Sequence, residues 1–388
     1  MALTGGCSSM DEEVAARLRH YLSEAELAAM EEGKMKKLLE ILHRQQEEAR
    51  RRRENPNAMR AAREAMLRRV EDMIEQSKEF IPQRLEAEKR ILDFDPKQGG
   101  EYYSRLPYVV DIITFDHDEE SPLGPMRYTD RVFNHEKDRY MMSEGLNIFS
   151  VKIASSDVGF PIQVYGTVLA RDSIDLKCVY LFRDRDHCQL INSEDESLIL
   201  TGPRRGLAII SNTYIETDLK IGDHQGWKDT ELSKGMLVIR GMENRSLQRC
   251  ELESCSLDTR LSTVDVMYGV IKRAVEATIS VEVLAGEFYG QITACTTGIQ
   301  KSLVLHDSEV DGPTTGDGKR AIQLSRYIVA VWLKEILSVT ITVVAETGVR
   351  KPEATIDFAP RTNGGDKAEI TIGNIKMLVK VSWSIIDF

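Results

Sequence analysis

In this 388-residue chain, residues 160–192, FPIQVYGTVLARDSIDLKCVYLFRDRDHCQLIN, return in altered form as GEFYGQITACTTGIQKSLVLHD, residues 286–307. Laying Tyr165-Gly166 on Tyr289-Gly290 fixes a constant offset. Val164 then falls on Phe288, Val168 on Ile292 and Ala170 on Ala294, while Val179 and Leu181 fall on Leu303 and Leu305. Every matched apolar residue keeps its parity, as the inward face of a period-two strand requires. Self-similarity of this kind constrains architecture more than any single motif. It predicts an internal duplication with related halves at about residues 145–250 and 260–388, the alternative being convergent reuse of Val, Ile, Tyr and Gly by a β-rich chain. Gly166 and Gly290 read as bulges or points of close backbone approach, since glycine otherwise weakens a strand. Beyond these strands the match between GPRRGLAII and DGKRAIQLS is weaker.

The rest of residues 100–388 continues the strand pattern. Strands are predicted near residues 108–115, 147–153, 162–170, 176–182, 197–200, 207–221, 236–241, 263–283, 289–295, 302–305, 354–358 and 368–386. The clearest alternation sets Ile215, Thr217, Leu219 and Ile221 against Glu216, Asp218 and Lys220, a half-buried antiparallel strand. Residues 322–344 stay open between helix, in RYIVAVWLKEIL, and strand, in SVTITVV. Asn363-Gly364-Gly365 and Gly316-Asp317-Gly318 are turn sequences. Short strands joined by Gly, Asp and Pro turns predict a mainly β body, an antiparallel sandwich or barrel.

An α-helical arm precedes this body, at residues 11–99, after a disordered stretch at 1–10. Val14, Leu18, Tyr21, Ala25, Ala28, Met35, Leu39 and Leu42 follow a helical spacing, broken by Asn55-Pro56. A second helix is predicted over residues 58–81, ended by Pro82, with a short third one after it. The apolar stripes are thin and rich in Ala and Met, so a helical hairpin and a coiled coil both fit. Gly99-Gly100 reads as the hinge. Deleting residues 1–95 is therefore expected to leave a folded, monomeric β body.

Charge narrows the partners. The first 97 residues carry 19 basic and 20 acidic side chains, so the excess of a chain with net charge −11 lies in the β body. Such a body is a poor binder of phosphate backbones. The basic run Ala49-Arg50-Arg51-Arg52-Arg53 is interleaved with Glu47, Glu48 and Glu54 and reads as a solvated helix face, with nuclear import or an RNA contact as the alternatives. The N-terminus lacks a basic region followed by an apolar run, and no stretch is long and apolar enough to span a bilayer. Cys7, Cys178, Cys188, Cys250, Cys255 and Cys295 form no CxxC pair. Together these predict a reduced, cytoplasmic or nuclear protein without a cofactor.

No nucleophile elbow, zinc-protease helix, Walker loop or dinucleotide fingerprint occurs. Charged clusters remain: residues 183–188, His306-Asp307, the turn Gly202-Pro203-Arg204-Arg205-Gly206, and the acidic residues 117–120. A metal site from His187, Cys188, His306 and Asp307 lacks ligand spacing and is not predicted. If a ligand site lies between the halves, Arg183, His187, Arg204, Arg205 and His306 are its candidate residues.

Five runs, YYSRLPYVVDIITFDHDEESPLGPMRYTDR, GFPIQVYGTVLARDSIDLKC, QLINSEDESLILTGPRRG, RLSTVDV and IKMLVKVSW, together resemble a β-rich plant domain of unknown function that is expanded in grasses. Some members of that family carry a ribosome-inactivating N-glycosidase domain of the jasmonate-induced type. This chain has the helical arm in its place and no Glu-Ala-Ala-Arg active-site helix, so depurination is not implied. The resemblance supplies no catalytic residues, only an association with a translation-linked stress role. The expected function is a non-enzymatic binding or adaptor protein, with a protein partner or self-association through the arm. The alternative is an enzyme or ligand-binding module with its site between the halves.

Overall fold

Apolar alternation becomes strand through most of the β body. The structure is a computed structural model and describes residues 40, 41, 43, 44, 56–132, 142–222, 230–241, 249–311, 321–344 and 350–386. The predicted disordered start, most of the first helix of the arm, the Ala49–Arg53 run and the turn at Gly316 lie outside the described residues. Two units are present, Met1–Gln83 and Arg84–Phe388.

Helix α1 (Pro56–Lys89) opens on a proline, which its missing N–H suits to a first turn. It runs through Pro82, where the sequence suggested an end. Phe80, Ile81 and Leu85 are exposed there, so water can take the carbonyl that proline leaves unpaired.

In the second unit β1 (Leu92–Asp95) pairs with β2 (Gly100–Tyr103) across the 3-10 turn Pro96–Gln98. Then come β3 (Glu144–Ser156), β4 (Ile162–Arg171), β5 (Val179–Ile191), β6 (Leu207–Ile209), β7 (Asn212–Ile221), β8 (Thr230–Arg240), β9 (Glu251–Thr259) and β10 (Ser262–Ile271). They form two antiparallel sheets, ordered β6-β3-β10-β9 and β5-β4-β7-β8. The chain continues through β11 (Ala274–Ala285), β12 (Gly290–Thr296), β13 (Leu303–Asp307), the short helix α2 (Ser308–Asp311), β14 (Ala321–Ile322) and β15 (Ile328–Trp332). It ends in β16 (Leu337–Val344), β17 (Arg350–Phe358), β18 (Gly365–Ile372) and β19 (Ile375–Ile385). Here the orders are β15-β11-β19-β18, with β14 also on β11, and β13-β12-β16-β17.

The two halves therefore share one strand order, β3 to β10 matching β11 to β19, with β14 added. Each half encloses its own core, built from both of its sheets. All five residue pairs matched in sequence are buried: Val164 and Phe288, Val168 and Ile292, Ala170 and Ala294, Val179 and Leu303, Leu181 and Leu305. The same offset extends to β7 and β16, because Gly166 faces Leu219 and Gly290 faces Val343. A Cβ on Gly166 would lie 2.1 Å from Asp218 O, and one on Gly290 would lie 2.0 Å from Thr342 O. Close backbone approach is thus the reason for both glycines, and Gly166 adds a φ of +122°. Ladder register pairs Leu207 with Leu146 and Val329 with Ala277, placing GPRRGLAII opposite the run leading into β15 and not opposite DGKRAIQLS.

A third apolar cluster, including Ala208, Ile271, Ala274, Ala330 and Ile386, joins the halves. A Cβ on Gly145 would stand 2.6 Å from the Ala274 methyl, so the contact is tight. Across it the Asn147 amide exchanges two 2.8 Å hydrogen bonds with the backbone N–H and C=O of Ala330.

Several local expectations change. Residues 108–115 are irregular, not strand; Asp111 accepts from Ile113 N–H and the Thr114 hydroxyl, closing a turn. Residues 197–200 make only one isolated bridge, Lys152 with Ser197. Residues 183–188 belong to the long strand β5, not to a loop. Residues 328–344 are two strands, β15 and β16, separated by a turn that holds Lys334 and Glu335.

The second unit starts at Arg84, ahead of the hinge read at Gly99-Gly100. Ile91 is 2% exposed against Ala87 and Ile112, and Asp95 is 3% exposed, accepting from Arg260 N–H at 2.6 Å. Asp93 pairs with Arg260 at 2.6 Å and Lys234 at 2.9 Å. A fragment of residues 84–388 is expected to melt cooperatively, whereas residues 100–388 should lose several kcal/mol, about 1.5–3 of them from Ile91 alone. Thermal melting of both fragments checks this; equal stability would return the boundary to residue 100.

Candidate functional site

Between β2 and β3, residues 104–131 run over both halves as a strap held by backbone groups. Leu106 N–H donates to Glu216 Oε1 at 2.8 Å, Ser121 N–H donates to Cys178 O, and Cys178 N–H donates to Glu119 O. Further on, Met126 N–H donates to Glu276 Oε1 at 2.7 Å and Tyr128 N–H to the Ser384 hydroxyl at 3.1 Å.

Three buried carboxylates anchor this arrangement. Glu216, on the face of β7 that the sequence read as polar, is 4% exposed because the strap covers it. It forms a two-pronged pair with the fully buried Arg171, at 2.7 and 3.0 Å, and meets Arg105 at 3.4 Å. Asp172 holds Arg205 in the same forked way, at 2.7 and 2.9 Å, and accepts Ala208 N–H at 2.9 Å. Glu276 on β11 accepts Gly206 N–H at 2.6 Å in addition to Met126 N–H. Burial pushes the Glu276 carboxyl above its usual range, opposed by these backbone donors.

The sequence candidates part company here. Arg205 is 1% exposed and committed to Asp172, Asp175 and the Ser121 hydroxyl, so it braces the turn before β6. Arg183 and Arg204 both approach Glu120, at 3.3 and 3.8 Å, and Arg183 also lies 4.3 Å over the Tyr180 ring. His187 sits on β5, but its side chain lies outside the described residues. His306, 2% exposed, lies near the end of β13. Of the four candidates whose side chains are described, Arg205 is committed to its brace, Arg183 and Arg204 meet at Glu120, and His306 lies on β13. Among the described residues no three His, Cys, Asp or Glu side chains gather as metal ligands.

His306 has an arrangement the sequence reading missed. Its Nδ1 lies 3.2 Å from both Gln323 O and Asp311 Oδ2, which assigns the proton to Nδ1. Nε2 then accepts from the Ser308 hydroxyl at 3.1 Å. Hydrogen bonding of this pattern serves nucleophilic serines elsewhere. Here Ser308 is 3% exposed, and its oxygen also accepts Gly290 N–H at 3.1 Å. The trio pins α2 against β12.

That helix forms part of the wall of a groove of about 480 Å³ between the halves. Phe149, Leu198 and Met267 line it from the first half; Val304, His306 and Arg326 line it from the second. Arg204 lines an adjoining cavity of about 490 Å³, which shares Asp311 and Ser325 with the groove. Arg326 lines the groove, is 5% exposed, and its Nη2 donates to Ile148 O at 2.6 Å. Burial alone draws its pKa down to about 10.

Fold and groove define an antiparallel β protein of two like halves with a ligand-sized cavity between them. Residues 145–381 match the family model of a domain of unknown function, DUF6598, and the chain belongs to that family. No curated protein matches the sequence. Among solved structures, human GIVD cytosolic phospholipase A2 overlaps at 8% identity and TM-score 0.23, over 62% of this chain and 30% of that one. Its complex with methyl gamma-linolenyl fluorophosphonate overlaps at 8% identity and TM-score 0.21, over 62% and 32%. The chain thus spans about a third of those proteins, and at such scores the overlap identifies neither a shared fold nor a shared activity. Among the described residues no helix is long and apolar enough to cross a membrane.

Replacing Glu216 with Gln strands the buried Arg171 cation and should cost about 3–5 kcal/mol in urea unfolding at neutral pH. A loss under about 1 kcal/mol would mean that water reaches the pair.

Proposed function

We propose that the protein is a binding protein whose ligand site is the groove between two duplicated β-sandwich halves. The observation that carries this reading is the groove itself. Its walls come from both halves, its size suits a small organic ligand, and apolar side chains surround a few polar groups. Duplication is supported by the common strand order and by the constant offset across β4, β5 and β7. The sandwich is supported by a core in each half that draws on both of its sheets. The tight junction around Gly145 and Asn147 favours a groove formed before a ligand arrives.

A second reading concerns the arm. On α1 the side chains of Met66, Leu67, Phe80 and Ile81 are exposed, which favours a protein partner or self-association along that helix. The two readings are compatible, since an adaptor can carry a ligand site. The translation-linked stress role implied by the resemblance has no residue behind it in this chain.

The neutral fluorophore Nile red serves as a probe of the groove. Its emission should rise and shift to the blue with the full chain. Val304→Trp, at a groove residue that is 43% exposed, should remove that signal while leaving the melting curve intact. Equal emission from the wild type and a folded Val304→Trp variant would place the probe elsewhere and refute the groove.

A further inference from the structure

The buried cation in the groove says more about the ligand than the groove's shape does. Arg326 follows β14 and enters β15, and its backbone N–H bonds to Leu305 O at 3.2 Å. Its side chain crosses from the second half to the first, ending at Ile148 O. The Nε group is buried without an acceptor. Among the described residues no carboxylate pairs with Arg326, although Arg105, Arg171, Arg205 and Arg260 each hold at least one. An uncompensated buried guanidinium is costly, and a fold that spends carboxylates on its other buried arginines leaves this one to something outside the chain.

The acids around it are occupied or distant in role. Asp311 accepts Asp307 N–H at 2.9 Å, the Ser325 hydroxyl and His306. Asp307 accepts Gln291 Nε2 at 2.8 Å and Glu309 N–H at 3.0 Å. Asp195 is an exposed residue of the rim. Lys152 and Lys301 also line the groove and form no ion pair among the described residues.

We infer that the groove binds an amphipathic carboxylate, with the carboxylate on Arg326 and a compact apolar body against Phe149, Leu198, Met267 and Val304. This deepens, and rests on, the reading of the groove as a ligand site. A planar guanidinium with an unpaired Nε–H matches a carboxylate, and one buried positive charge neutralises one negative charge. A phosphate dianion would bring a second charge that meets only Lys152 and Lys301, neither of them buried, where solvent screens the pairing. The groove volume of about 480 Å³ has room for a body of roughly eight carbons.

Displacement of Nile red from the full chain tests the inference, with octanoate, 1-octanol and octyl phosphate as competitors at pH 7.5. For the wild type, octanoate should displace at a concentration about tenfold lower than 1-octanol, as one charge-assisted hydrogen bond implies. Octyl phosphate should be weaker than octanoate. Arg326→Met should abolish the preference for octanoate and leave 1-octanol unchanged. Equal potency of octanoate and 1-octanol on the wild type would overturn the carboxylate while the groove stands, and it needs no variant to be folded. Stronger displacement by octyl phosphate would overturn it too, in favour of a phosphate ligand. Failure of all three competitors, with Nile red unaffected by Val304→Trp, would overturn both the inference and the groove.

Discussion

Glu276 is one carboxylate on which the relation between the halves depends. It belongs to the second half through β11, takes Gly206 N–H from the first, and takes Met126 N–H from the strap. A buried carboxylate is tolerated when its oxygens are met by fixed donors, and here two of those are backbone groups that cannot swing away. The contact thereby fixes three segments that are remote in sequence. Asn147 repeats the device from the other side, gripping Ala330 with both ends of its amide. These two clamps and the small-residue junction at Gly145 tie the first half to the second beside the groove.

Much of the β body was legible because its strands are half-buried, and parity is kept between the two halves. Val168 and Ile292, or Leu181 and Leu305, could be matched without a structure because each points at a core. Legibility failed where tertiary covering overrides the local pattern. Residues 108–115 are rich in Val, Ile and aromatic residues like a strand, yet they pack as strap over Ile91 and close a turn on Asp111. Glu216 reads as a solvent-facing charge on a strand whose inward face is Ile215 and Thr217. Only the strap, more than a hundred positions away in sequence, turns it into a buried anchor. RYIVAVWLKEIL could be helix or strand by composition, and pairing with β11 decides for strand.

The candidate site was less legible for the same reason. Charge clusters in sequence mark where charges are, not which of them are satisfied. Arg205 drew notice and proved to be bracing, because Asp172, 33 residues earlier and just past the end of β4, meets it. Arg326 drew none, being a lone basic residue before an apolar run, yet among the described buried arginines it is the one left without a carboxylate. The Ser308–His306–Asp311 arrangement was missed because the reading looked for family motifs, and all three lie within six residues around a single-turn helix. The contrast between arginines carries the inference about the ligand's charge. Arg171, Arg205 and Arg326 are all buried, but the first two serve the fold and the third faces a cavity.

The central claim is that the halves form one rigid body around a preformed groove. Amide hydrogen exchange on the full chain, without ligand, tests it most directly. The N–H groups of Gly206 and Ala330, bonded across the junction, should exchange as slowly as those of Val266 and Val379 in the two cores, in one shared opening. Fast exchange at Gly206 and Ala330 beside slow exchange in both cores would show halves that part from each other in the native state, and would contradict the account.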